Sequence, residues 1–502
     1  MCHKIRIATL VLSIVLSGAA GAQSCADCRY LSPVFDSVKV STEYFARGVK
    51  ANGDTLDMYM DIYEPAGDTA VNRPVMIFAF GGGFVQGSRT DWYVVEVCRH
   101  FARTGYVAVS IDYRTGITTS EIISLQFMRI FFRPMQEMRA AVQHLKWSYA
   151  EDGNPYRIDT SRIIIGGASA GAITALMTAY CDKPGEIDDM GNISALDALG
   201  GFYSTSGFHQ HYNWQVAGVV NVSGALVKAN WIEPGDVPVI SAHGDADNVV
   251  PYKEGAFAGL SIFGFNLQGS YIVDTVARNR GVCSYLYTME GRGHPDDEMG
   301  IEYIRSVVYR ISQRMYALIH GRSYCCPLAA DITPQDTLFF APGAPDVTLT
   351  AVITNDNGNA QPKWCSIGCG VSASSNSVTF TPDTSLRYML LSAIEGGCEA
   401  ADIHILVDTT ALYASAGNAT LPELTIYPNP ADQYLIIRPA PGTKIFNLEI
   451  SDLHGIIHEK YSSYSASGEM VVDVSRLASG AYVLKWNNGR KNAYRKIIIQ
   501  HP

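Results

Sequence analysis

The sequence predicts an α/β chain with a mostly parallel sheet, followed by two small all-β units, and three observations point there. Val75–Phe80 (V-M-I-F-A-F), Tyr106–Ile111 and Ile163–Ile165 are continuous apolar runs, as strands buried on both faces require. Segments with helical periodicity alternate with these runs, which is the pattern of a parallel sheet covered by helices. After Gly321 the helical signals fade, and short strand-like runs appear among Thr, Ser, Asp, Asn and Gly residues. At 502 residues the chain exceeds one ordinary core. The expected organisation is a leader over 1–22, an α/β unit over 23–322, a β-sandwich over 327–412 and a last β unit over 421–502.

The leader is read from Lys4 and Arg6, an apolar run from Ile7 to Leu16, and the small residues Ala20-Gly21-Ala22, with cleavage expected before Gln23. The run is too short for a permanent transmembrane anchor. Ala22-Gln23-Ser24 before Cys25 is a poor lipid-attachment box, so free export is the expectation. Lys and Arg number 38 against 48 Asp and Glu, an acidic balance that argues against a nucleic-acid partner. Of eleven cysteines, Cys2 leaves with the leader, and the even remainder in an exported chain favours disulfides over metal. Cys25 with Cys28, and Cys365 or Cys369 with Cys398, are the candidate local pairs. No zinc-type spacing with histidine appears, and no metal site is expected.

Taken in order, Phe35–Tyr63 holds two strands, the second (Thr55–Tyr63) alternating polar and apolar residues as a half-exposed antiparallel strand does. Pro74–Phe80 is a buried strand ending in Gly81-Gly82-Gly83, and Trp92–Arg103 a helix stopped by Gly105. Tyr106–Ile111 is a strand, and a helix through Met135–Trp147 is expected to start at Pro134. Strands follow at Arg162–Ala168, Val216–Val222, Val237–Ala242 and Tyr285–Met289, then a helix over Met299–Ile319. Beyond it, short strands are expected at Thr337–Phe340, Val347–Ile353, Val378–Phe380, Tyr388–Ser392 and Ile403–Val407, as in an immunoglobulin-like sandwich.

The chemistry centres on Arg162–Thr174, R-I-I-I-G-G-A-S-A-G-A-I-T. Gly167 and Gly171 flank Ser169 in a G-x-S-x-G pattern, which holds a serine on a tight strand-to-helix turn. A side chain at either glycine would collide with the neighbouring strand or helix. The bland alternative is a small-residue turn of the kind any α/β protein contains. A serine nucleophile needs a base and an orienting acid further along the chain, in the order Ser, Asp, His.

Eight strands with this turn after the fifth resemble the α/β-hydrolase fold, over roughly Phe35–His320. The residues are most similar to secreted carboxylesterases of the lipase/esterase type. His243-Gly-Asp-Ala-Asp-Asn-Val-Val-Pro251 resembles the esterase H-G-x-x-D-x-x-V-P signature, which implies Asp247 as the triad acid, leaves Asp245 as a loop residue, and makes His243 a loop brace. His294 in Gly291-Arg-Gly-His294 stands where the base belongs. Phe80-Gly-Gly-Gly-Phe84 resembles the H-G-G-G-F/W oxyanion motif with Phe80 in place of histidine, which puts the rigidity of the loop in question. Gly82, Gly83 and Ala170 are then the expected oxyanion donors. His100, His144, His209, His211, His404, His454 and His458 receive structural readings.

The resemblance implies hydrolysis of a carboxylic ester through an acyl-enzyme with no cofactor, on a small-molecule, lipid or polysaccharide-linked ester. A serine peptidase of the same fold, or a non-catalytic surface binder on this scaffold, are the alternatives. Ile122–Phe132 and Phe202–Trp214 are expected either to cap the pocket or, for the first, to pack on the sheet. The last segment contains Tyr427-Pro-Asn-Pro430, Tyr434–Ile437, Ser451-Asp-Leu-His-Gly455, Gly480-Ala-Tyr-Val-Leu484 and Lys496–Ile499. It resembles the C-terminal sorting domain of the type IX secretion system. That implies passage through the periplasm of a Gram-negative bacterium, handling by the type IX machinery, and release or surface attachment.

Overall fold

A computed structural model describes residues 28–500 except 120, 122–127, 189–192, 258–265, 296–299, 326–327, 334–337, 341–345, 356–357, 367–371, 382–387, 396, 409–423, 430, 440–444, 453–456, 465–469, 478–479 and 488–491. The leader, Cys25, Cys369 and His454 therefore lie outside the described residues, as does 122–127 of the first cap segment.

The α/β region contains β1 (Val38–Val49), β2 (Thr55–Pro65), β3 (Arg73–Ala79), β4 (Val107–Ile111), β5 (Ile158–Ala168), β6 (Gly218–Val222), β7 (Ala225–Leu226), β8 (Val239–Gly244), β9 (Glu254–Gly255), β10 (Leu267–Gly269) and β11 (Ser284–Met289). Eight of these form one sheet in the order β1-β2-β4-β3-β5-β6-β8-β11, while β7, β10 and β9 make a small separate sheet. β2 is antiparallel to both β1 and β4, and every later pair in the large sheet is parallel. All of β3, β4 and β6 is buried, which their unbroken apolar runs require.

The strand order reverses at β3. Right-handed crossovers therefore send the helix between β3 and β4 (Trp92–Thr104) and the helix between β4 and β5 (Met128–Ala150) to opposite faces. Trp92–Thr104 packs with the last helix, Gly300–Ile319, and Met128–Ala150 packs with Ala170–Tyr180. Gly105 ends the first helix at φ 113°, a left-handed conformation that lets the Gly105 and Tyr106 N–H groups close on the carbonyls of Ala102 and Phe101.

One helix departs from expectation. It begins at Met128, so Pro134 lies inside it rather than at its start. Ile130, Phe131, Phe132 and Met135 are all buried in the core, and this apolar surface carries the helix through the hydrogen bond that the proline cannot donate.

The register brings the functional loops together. Ala79 of β3 pairs with Gly167 of β5, Ala168 with Val222, Val222 with Ala242, and Gly244 of β8 with Met289 of β11. The loops after β3, β5, β8 and β11 thus leave one edge of the sheet, where ligands of open α/β sheets bind.

Downstream, Ala329–Thr333, Val347–Thr354 and Ser377–Phe380 form one sheet. Leu338–Phe340, Cys398–Asp408, Tyr388–Glu395, Gln361–Ser366 and Ser372–Ala373 form a second, and Trp364 is fully buried in the core they share. The last segment has a three-stranded and a four-stranded antiparallel sheet around Leu435, Ile437, Leu448, Val472, Leu484 and Ile497.

The cysteine pairing overturns two of the expected local pairs, Cys25–Cys28 and Cys365–Cys398, while Cys398 is itself disulfide-bonded and its other expected partner, Cys369, lies outside the described residues. Cys28 is bonded to Cys365, and Cys283 to Cys325. Cys365 and Cys398 belong to one sheet rather than to facing sheets, and Cys365 turns toward Leu31 and Tyr316 of the α/β unit, where Cys28 lies. Cys98 and Cys181 are free and buried, so disulfides do not take up every cysteine of the exported chain. Around the Cys28–Cys365 bridge, Gln313 donates to the Asp402 carbonyl at 2.6 Å and Arg322 pairs with Glu399 at 3.1 Å. Peptide mapping without reduction should recover Cys28 linked to Cys365 and Cys283 linked to Cys325. Cys365→Ser should lower stability to denaturant by about 2–5 kcal/mol. Recovery of a Cys25–Cys28 peptide instead would contradict this architecture.

Candidate active site

Ser169 follows β5 directly and starts the helix Ala170–Tyr180, with φ 53° and ψ −120°. A non-glycine residue rarely holds this conformation, and the neighbours enforce it. Ser169 N–H donates to the Val222 carbonyl at 2.9 Å, and the Ser169 carbonyl accepts from Ile173 at 2.9 Å. A Cβ on Gly171 would overlap the carbonyls of Ala79 and Phe80, and one on Gly167 would overlap the Gly171 backbone. The helix therefore reaches the end of β3 only because both positions lack side chains.

Ser169, Asp247 and His294 come together although 47 residues separate the last two and 125 separate the first from the third. His294 Nδ1–H donates to Asp247 Oδ2 at 2.6 Å, and Ser169 Oγ–H lies 2.8 Å from His294 Nε2 as its donor. The carboxylate fixes the tautomer: with the proton on Nδ1, Nε2 is left to accept. Asp247 Oδ1 accepts the backbone N–H groups of Val249 and Val250 at 2.8 and 2.9 Å. Burial pushes the Asp247 carboxyl up, but hydrogen bonds from His243 and His294, with the His294 charge and the Val249 amide, outweigh it and hold the group well below the usual carboxylate range. Asp247 thus stays ionised across the range where a histidine titrates.

Asp245 has a different task. Its Oδ1 accepts the Gly291 N–H at 2.6 Å, and the Ala246 N–H donates to the Arg292 carbonyl at 2.9 Å, so the aspartate loop is tied to the loop that carries His294. His243 is fully buried against Asp247, as a brace within the motif would be.

The loop after β3 lies against Ser169, where a Cβ on Gly81 would sit 3.2 Å from the Ser169 Cβ. Gly82, Gly83 and Phe84 all have positive φ, at 113°, 62° and 64°, a tight left-handed run that two glycines make possible. The substitution of Phe80 for histidine does not leave this loop unsupported. The Phe80 ring stacks on Tyr113 with centroids 4.0 Å apart, Tyr113 O–H donates to the Phe80 carbonyl at 2.8 Å, and Gly81 N–H donates to Tyr93 Oη at 2.5 Å. Sequence reasoning missed both tyrosines. Neither belongs to a motif, and only their place, one after β4 and one on the helix Trp92–Thr104, reveals the role.

A cavity of about 740 Å³ opens at Ser169 and His294. Gly81–Gly83 line its mouth, and Tyr93, Val97, Phe101, Phe257, Val308 and Ile311 line its apolar walls. Among the described residues, neither proposed cap segment contributes to it. Phe131 is buried edge-on against Phe84 at 5.2 Å, and Phe132 packs 6.1 Å from Phe202 in the core. The described part of Ile122–Phe132 therefore packs against the fold, and the 202–214 insertion lies beside β1, where Gly207 bridges Ala46. Among the described residues, no cluster of three or more His, Cys, Asp or Glu could hold a metal ion.

Residues 60–226 match the BD-FAE family model and residues 425–500 match the secretion system C-terminal sorting domain. The first is an esterase domain of α/β-hydrolase type, so the class of protein is a carboxylic ester hydrolase. With the sorting domain at its C-terminal end, this one is a secreted or cell-surface esterase carrying a BD-FAE domain. The BD-FAE segment contains Gly82, Gly83 and Ser169 and ends before Asp247 and His294. No curated protein matches the chain in sequence. Solved structures similar to it include Thermogutta terrifontis esterase 2 phosphorylated by paraoxon, at 19% identity over 55% of this chain and 94% of that one, TM-score 0.38. The propionate-bound form of the same esterase has the same identity and coverage at TM-score 0.37, and its apo form matches at 0.38. Among the described residues no helix is long and apolar enough to cross a membrane.

The fit at Gly171 can be checked directly. Gly171→Ala should cost about 1–3 kcal/mol of stability and lower kcat/KM by about tenfold or more through displacement of Ser169. Gly185→Ala, where a Cβ meets nothing within 4 Å, should leave both unchanged. Unaltered activity and stability in Gly171→Ala would contradict the packing described.

Proposed function

We propose that Ser169, His294 and Asp247 hydrolyse carboxylic esters through an acyl-enzyme. The observation that carries the proposal is the unbroken chain from Ser169 Oγ to His294 Nε2 at 2.8 Å and from His294 Nδ1 to Asp247 Oδ2 at 2.6 Å. A serine hydroxyl attacks slowly until a base takes its proton, and His294 is placed and held in the tautomer for that. As Ser169 Oγ bonds to the ester carbonyl carbon, its proton passes to His294 Nε2, and the carbonyl oxygen becomes an oxyanion. The Ala170 N–H at the helix start and the N–H groups of Gly82 and Gly83 receive that charge. Collapse breaks the bond to the alcohol oxygen, which leaves with the proton from His294. Water, deprotonated by His294, then repeats the attack on the acyl-serine and releases the acid with Ser169 restored.

The apolar walls of the cavity favour an apolar or aromatic acyl group over a small polar one. An exported enzyme meets such esters on polysaccharides or lipids outside the cell. The leader over 1–22 and the division into units at 23–322, 327–412 and 421–502 are part of the same proposal, in which the last unit directs export and the first performs the chemistry.

Hydrolysis of a nitrophenyl ester series by wild-type protein and Ser169→Ala tests this reading. The account expects wild-type turnover to rise from acetate to longer or aromatic acyl groups, and the variant to fall by about ten-thousand-fold. Equal, background-level rates in both proteins would end it.

A further inference from the structure

The Asp247 carboxylate is held by two histidines, and the Ser–Asp–His scheme uses only one. His243 Nε2 lies 3.1 Å from Asp247 Oδ2, the same oxygen that accepts from His294, and 3.1 Å from the Val250 carbonyl. Both neighbours are acceptors, so Nε2 carries a proton. On the other side of the ring, Nδ1 lies 2.7 Å from Ser270 Oγ. Asn221 Nδ2 donates to that hydroxyl at 2.9 Å, and the orientation of the amide is fixed because its Oδ1 accepts from the Gly224 N–H. The Ser270 proton has two acceptors within reach, His243 Nδ1 at 2.7 Å and the Gly224 carbonyl at 3.2 Å. Whichever of these accepts it, the proton on His243 Nε2 stays between two acceptors, Asp247 Oδ2 and the Val250 carbonyl. Both the His243 and Asp247 side chains are wholly out of solvent.

We infer that His243 is a positioning residue for the reaction: by sharing Asp247 Oδ2, it limits how tightly the carboxylate holds the His294 proton. The inference rests on the triad reading above. A hydrogen bond to Oδ2 withdraws charge from that oxygen, and an oxygen with less charge stabilises the His294 imidazolium less. Loss of the His243 donor therefore makes His294 a stronger base that is protonated at higher pH. Among the described residues, the other titratable and charged groups near the pair are Asp245 in the same loop, Tyr252 edge-on to His243 at 5.6 Å, Asp274, which acts on Tyr252, Glu290 and Arg292 in the segment that leads to His294, and Asp91 lining the cavity. The substitutions below leave all of them in place.

The side-chain amide of glutamine reaches the position of Nε2, whereas that of asparagine reaches only Nδ1. His243→Gln keeps a donor on Asp247, and His243→Asn keeps the contact with Ser270 and loses the one with Asp247. The pH profile of kcat/KM reads the base through its acid limb. The expected result is an acid limb in His243→Asn shifted upward by about half a pH unit or more, with His243→Gln close to wild type. A brace without electrostatic effect would lower stability or kcat in both variants and leave the limb in place, and that result overturns the inference. Proton NMR of the wild-type enzyme decides independently of how the variants fold. The His243 Nε2 and His294 Nδ1 protons share one oxygen, so both low-field resonances should move together as His294 titrates, and a His243 resonance that stays fixed overturns the inference. Failure of the triad reading is distinct: wild-type protein would then show no ester hydrolysis to profile.

Discussion

Everything at the site depends on a backbone contact that only glycine permits. The helix Ala170–Tyr180 starts so close to the end of β3 that Gly171 touches the carbonyls of Ala79 and Phe80. That approach forces Ser169 into its positive φ and brings the Gly81–Gly83 loop against the serine. The sheet supplies the remaining condition. Because β3, β5, β8 and β11 run parallel in matched register, the loops with the glycines, the serine, the aspartate and the histidine all leave the same edge.

Electrostatics completes what the geometry begins. A buried carboxylate is costly unless its lone pairs are met, and Asp247 meets them with two backbone amides and two imidazoles. The cost of burial is thereby reversed into a firm hold on the negative charge. That charge orients His294, and His294 in turn faces Ser169. The aspartate and histidine loops are also bonded to each other through Asp245 and the Arg292 carbonyl, so the pair is held as one body. Strain sits on the serine side and satisfied polar groups on the acid side, which is how preorganised sites are usually divided.

Much of this was legible in the sequence because it is local. The apolar runs of β3 and β4, the G-x-S-x-G turn and the H-G-x-x-D-x-x-V-P loop each carry their structure within a few residues. What was not legible depends on contacts between distant segments. Cys28 could not be matched to Cys365 from spacing, since the bridge spans 337 residues and depends on how a β unit docks on the last helix. Pro134 reads as a helix start by local rules, and the burial of Ile130–Phe132 overrides them. Phe131 and Phe132 look like a cap because they are apolar, yet apolarity alone does not distinguish a pocket wall from the core. Tyr93 and Tyr113, which brace the loop that lacks the usual histidine, carry no motif at all.

The central claim is that one serine, made reactive by its turn and by His294, carries out the chemistry of this secreted esterase. Covalent labelling with a fluorophosphonate, followed by peptide mass spectrometry, tests it most directly, because the reagent reacts with an activated serine and leaves the others alone. The account predicts a single adduct, on Ser169, forming in step with loss of ester hydrolysis. An adduct on another serine, or full loss of hydrolysis with Ser169 unmodified, would contradict it.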